Sequence, residues 1–187
     1  MKAKYLLALS AATLALAACG HKTETVDNST VTTTNTEVAT APTVTASAGQ
    51  TFANTAASSD AFEIATSKLA LTTSLSTSIK KFAQKMIDAH TGSTAKLKET
   101  AAALTPAITP DTTLSAPQQQ TLDALKAKSG SDFDQAYAAA QASAHQQTLD
   151  ALKAYAATGD VPALKTFATG LIPTVTAHLN MAKALKA

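Results

Sequence analysis

From about residue 51 onward, apolar side chains recur three, four and seven residues apart, a spacing that gathers them on one face of a helix. This region has no strand-like alternation, and it abounds in Ala, Leu, Lys and Gln, all good helix formers. The first helix is expected from Thr51 to Leu75, with Phe52, Ala56, Phe62, Leu69 and Ala70 among its apolar positions. The "STS" at 76–78 breaks it and caps a second helix from Ile79 to about Leu104. Ile79, Phe82, Ala83, Met86, Ile87, Leu97 and Leu104 share one broad face of that helix. Pro106 and Pro110 end the segment. Ser115, with Gln118 three residues on, makes a capping box for a short helix near 116–128, which Gly130 stops. A third long helix is expected from Phe133 to Thr158, ended by Gly159, and a fourth from Val161 to about Ala184, capped by Asp160. Pro162 suits its first turn, and Pro173 should bend its interior. Two long αα-hairpins, joined by a longer connection carrying a short helix, predict an all-α four-helix bundle over residues 51–187.

The chain ahead of the bundle follows another pattern. Lys2 and Lys4 precede an apolar run, Tyr5 to Ala17, that is too short to span a bilayer, and residues 1–18 read as a secretory signal. The run ends in Leu16-Ala17-Ala18-Cys19, which resembles a bacterial lipobox. Cleavage before Cys19 would leave its sulfur to take a diacylglycerol and its amine an acyl chain such as palmitate. Each buried methylene adds about 0.8 kcal/mol of membrane affinity, so several chains anchor durably. Gly20 rather than Asp after the cysteine, by resemblance to Gram-negative lipoproteins, points to the outer membrane, with the domain on its periplasmic face. Residues 19–50, rich in Thr, Ala, Val, Ser and Asn and without helical period, read as a flexible tether. His21 lies in the tether and is expected to be solvated.

Charge narrows the function. Removing Lys2 and Lys4 leaves 13 lysines against 13 acidic residues, and there is no arginine in the chain. A nucleic-acid binder needs a basic stripe and commonly arginine forks, so that class is excluded. Cys19 is the only cysteine, which rules out an intramolecular disulfide or a cysteine metal cluster. No Gly-x-Ser-x-Gly, no glycine-rich phosphate loop and no Glu-x-x-His is present. Tyr137 and Tyr155 share a face of the third long helix and read as core anchors. "QQTLDALKA" occurs at 119–127 and again at 146–154, but two copies of an amphipathic phrase do not make a solenoid.

Three of the four histidines follow an alanine and fall on or near apolar arcs. His90 is four residues after Met86 and eight after Phe82. His178 is seven after Leu171 and seven before Leu185. His145 is four before Leu149 and seven before Leu152, nearer the edge of its arc. Glu63 is seven after Ala56 and seven before Ala70, so the first helix points an acid inward. Each long helix thus offers one inward polar group, the way helical bundles build metal sites. A lone histidine on such a face is more often a hydrogen-bonded core residue. With one Glu and up to three His, a single zinc, copper or iron ion is the appropriate guest.

"EIATSKLA" at 63–70, "IKKFAQKMIDAH" at 79–90, "SGSDFDQAYAAAQASAHQ" at 129–146 and "LKTFATGLIPTVTAHLNMAKAL" at 164–185 resemble the bacterial family called domain of unknown function 4142. The resemblance covers nearly all of 51–187 in order. It implies a secreted or lipid-anchored bundle with a ferritin-like fold and no established general activity. Glu63, His90, His145 and His178 match the family's inward acid and recurring histidines. Many members place an acid directly before those histidines; here the positions are Ala89, Ala144 and Ala177, which argues against a two-metal centre.

The first expectation is therefore a non-enzymatic outer-membrane lipoprotein, held to the membrane through Cys19, with an envelope or stress-related role. In it no catalytic residue and no obligatory cofactor is assigned. Its rival is a periplasmic metal-binding or redox protein holding one Zn, Cu or Fe ion on Glu63, His90, His145 and His178.

Overall fold

The computed structural model describes residues 46–186; the expected signal, Cys19, His21 and nearly all of the tether lie outside them. Five helices form among the described residues: α1 (Ala48–Thr73), α2 (Thr77–Ala102), α3 (Ala116–Lys126), α4 (Gly130–Thr158) and α5 (Pro162–Ala184). α1 packs along α2 and α4 along α5, while α1 against α4 and α2 against α5 close a four-helix bundle. The short α3 lies on α1 and α4. None of these helices is long and apolar enough to cross a membrane.

Side chains at the helix ends explain most boundaries. Ser47, Ser76 and Ser115 accept from the backbone N–H of Gln50, Ile79 and Gln118, and Ser115 with Gln118 completes the expected capping box. Five expectations shift. α1 begins at Ala48, before Thr51 and inside the expected tether. α1 stops at Thr73, leaving Leu75 87% exposed in the connection. α2 ends at Ala102, before Leu104. Gly130 opens α4 instead of stopping α3, with a φ of 55° that favours glycine. Val161, not Asp160, is the N-cap of α5; Asp160 instead accepts a 2.8 Å hydrogen bond from the Tyr155 hydroxyl. Gly159 ends α4 as expected, because a Cβ there would stand 2.6 Å from the Tyr155 carbonyl oxygen. α5 continues through Pro173, which is exposed, as is Thr169, whose carbonyl loses the proline's missing N–H.

The connection between α2 and α3 is tied down on α1. Gln50 donates to the Thr109 carbonyl at 2.8 Å, and Asn54 accepts from the Asp111 N–H at 3.0 Å.

The interior holds two apolar cores. One gathers Phe52, Leu97, Leu149, Tyr155, Leu164, Phe167 and Leu179. The other gathers Ile79, Phe82, Met86, Leu125, Phe133 and Tyr137. Both tyrosines are core anchors, as expected. Following α1, α2 or α4 from one core to the other crosses buried polar residues: Asp60, Glu63 and Thr66 on α1, His90 on α2, Gln141 and His145 on α4. On α5, His178 is flanked by residues of both cores. A polar layer therefore separates two mainly apolar halves.

Candidate metal centre

The layer is built around a triangle of imidazoles. His90, His145 and His178 are 4%, 1% and 4% exposed. Their ring centroids are 5.5, 5.5 and 5.7 Å apart. One ring nitrogen from each lies within 4.8 Å of the other two. Three nitrogens bound to one ion at about 2.0–2.1 Å sit roughly 3.3–3.6 Å apart, so small ring rotations would close the triangle on an ion. The helical period that put these residues on inward faces did not show that they stand at one height. The packing of α2, α4 and α5 does that.

Two of the rings are held by a hydrogen-bond partner at Nδ1. His90 Nδ1–H donates to Asp60 Oδ1 at 2.7 Å. His145 Nδ1–H donates to the Gln141 carbonyl, one turn back on its own helix, at 2.8 Å. With Nδ1 carrying the proton in each neutral ring, Nε2 is left as a lone-pair donor. Both Nε2 atoms are buried without a hydrogen-bond partner, as is His178 Nδ1. Imidazoles locked by a second partner with a free, inward nitrogen are how metal-binding histidines are presented.

Burial sets the protonation of the cluster. It pushes His145 down to about 4, against the Gln141 hydrogen bond, with the charges of His90 and His178 adding to the fall. It pushes His178 down to about 4 as well, helped by the charges of His90 and Lys85. Burial also opposes a charge on His90, but the Asp60 hydrogen bond and the nearby carboxylates outweigh it and raise its pKa. Two of the three rings are therefore neutral, and ready to donate a lone pair, across the physiological range.

Glu63 enters the layer without joining the triangle. Its Oε1 is 3.5 Å from His145 Nδ1, the nitrogen already engaged by Gln141. Burial pushes its carboxyl up to about 7, offset in part by His90 and Gln141. Of the four expected inward groups, the structure brings three histidines to one point and sets the acid beside one of them.

Asp60 was not singled out in the sequence, although it is three residues before Glu63 and so shares its face. It is 5% exposed, and Thr94, whose hydroxyl donates to the His90 carbonyl, reaches its Oδ2 at 3.2 Å. Gln141, four residues before His145 and on the same face, also enters the layer. Its amide donates to Thr66 Oγ1 at 3.0 Å. Ala89, Ala144 and Ala177 place no carboxylate next to the histidines.

A solved structure described as CopM in the Cu(II)-bound form is similar in fold, with a TM-score of 0.61 at 16% identity. The alignment covers 73% of this chain and 93% of that one. No curated protein sequence matches the chain. The family described as domain of unknown function (DUF4142) matches residues 33–185, beginning inside the expected tether, and the chain belongs to that family.

Proposed function

We propose that this protein binds a single copper ion on His90, His145 and His178, and that it does so in the cell envelope as a lipoprotein tethered through Cys19. The observation that carries the reading is that three buried histidines on three helices each bring a ring nitrogen within 4.8 Å of the other two. An orphaned buried polar atom costs about 1–3 kcal/mol. An ion on the three rings would convert such nitrogens into bonds. Three imidazoles suit copper, zinc or iron, and the divalent affinity order places Cu(II) highest. The fold neighbour solved with Cu(II) supports copper in particular. The envelope placement rests on the lipobox-like Leu16–Cys19 and the tether that follows it.

Metal analysis tests the binding. The full chain, purified in detergent and desalted after incubation with Cu(II), should retain one copper per chain, and His145→Ala and His178→Ala should each lose it. A wild-type protein that stays metal-free through copper, zinc and iron titration overturns the reading. Labelling with radioactive palmitate, present in wild type and absent in Cys19→Ser, tests the anchor.

A further inference from the structure

A small pocket adjoins the histidine triangle where α1, α2, α4 and α5 meet, and its proposed role rests on copper binding at that triangle. Its volume is about 30 Å³, and His90 and His178 form part of its wall. That is room for one or two water-sized groups. Asp60 and Thr148 lend the wall polar character, and Leu152 and Val175 line it with apolar surface. The rim residues Ala89 and Ser93 on α2 are half-buried, and Thr174 on α5 is exposed. Ala56 on α1, Thr148 on α4 and Leu171 on α5 are half-buried too, so Thr174 is the most open part of the lining.

Two carboxylates stand near enough to compete for a fourth position on the ion. Asp60 is already committed, Oδ1 to His90 and Oδ2 beside the Thr94 hydroxyl. Glu63 lies at the Nδ1 edge of His145 and is not part of the pocket wall. Ala89, directly before His90, is too short to reach across the rim.

We infer that an ion on His90, His145 and His178 keeps its fourth coordination position open to this pocket, where it holds a water that a small anion of two or three atoms can displace. In the exchange the anion's donor atom takes the place of the water oxygen, and the water leaves through the rim. No electron is transferred and no covalent bond within the ligand breaks. In zinc proteins, three protein ligands plus one exchangeable position mark catalytic sites, whereas structural sites close all four.

Azide titration of the copper-loaded full chain tests this by absorption spectroscopy. Wild type should develop a saturable azide-to-copper charge-transfer band at one copper per chain. Thr174→Phe, which fills the rim from an exposed position, should lose the band and keep its copper. Ser93→Leu, on the opposite rim, is the second blocking variant should Thr174→Phe fail to hold copper. A copper-loaded wild type that gives no band overturns the inference while leaving the metal reading intact. A band that appears only in Glu63→Gln assigns the fourth position to that carboxylate and overturns it too. Unchanged bands in both rim variants overturn the pocket as the route. A wild type that binds no copper overturns both readings together.

Discussion

Asp60 orients His90 through one 2.7 Å hydrogen bond, and its charge lies one atom beyond the ring that would donate to the ion. Removing such a partner typically lowers metal affinity about 10–100-fold. Asp60→Ala should therefore weaken copper binding by that range in a competition titration against a chelator, with the stoichiometry still one. Asp60→Asn, which keeps an acceptor, should cost less. Glu63 acts on stability instead. Its folded pKa of about 7 lies above its ordinary 4.5, so its contribution is fully present below 4.5 and is lost as pH rises through 7. Glu63→Gln should stabilise the metal-free protein by about 1–3 kcal/mol at pH 8 and by little at pH 4. Denaturant unfolding at the two pH values measures the difference. His145 and His178 run the other way: their pKa values are depressed to about 4, so the stability they carry is present above 6.5 and lost as pH falls through 4. With Gln at 63, the metal-free unfolding midpoint should fall steadily on acidification from 6.5 to 4.

Among the helices, two glycines separate what a turn requires from what a helix tolerates. Gly159 closes α4 against Tyr155, whose ring and carbonyl leave no space for a Cβ. Gly159→Ala should cost about 1–3 kcal/mol through overpacking. Gly170, exposed in the middle of α5, has nothing within 4 Å of a Cβ position. Gly170→Ala should stabilise the protein by about 0.5–1 kcal/mol, because glycine loses more backbone freedom in a helix. Equilibrium denaturation of the pair, with opposite signs, checks both. The elements themselves were largely legible in the chain: Ser76, Ser115 and Gly159 act at the boundaries where their chemistry placed them. Gly130 and Asp160 act otherwise than their local sequence suggests. A glycine can end one helix or begin the next, and an aspartate can cap or accept from a tyrosine. Local sequence does not choose between those uses.

In the whole molecule the polar layer divides the bundle's interior into two apolar halves, and the three imidazoles come from α2, α4 and α5. An ion there would cross-link three helices that no disulfide joins. Ligand held only by the folded state stabilises it by about 2.7 kcal/mol at a free concentration of 100 times Kd. Copper should accordingly raise the unfolding temperature of wild type and leave that of His178→Ala unmoved, as read by a calorimetric scan with and without the metal. The same layer explains why the site was only partly visible in the sequence. Periodicity put Glu63, His90, His145 and His178 inward one helix at a time, and all four are buried. Periodicity carries an angle about each helix axis, however, and not a height shared between helices.

By itself, then, the chain determined the helices, their apolar faces and the inward direction of one polar residue on each, because helical period and end-capping act within a few neighbouring residues. Only the tertiary structure decided that three ring nitrogens come within 4.8 Å, that Asp60 locks His90, and that Glu63 stands at the Nδ1 edge of His145. Those facts depend on how the two hairpins slide and rotate against each other. The sliding is settled by the fit of two apolar cores on either side of the polar layer, and that fit is a property of all four long helices together.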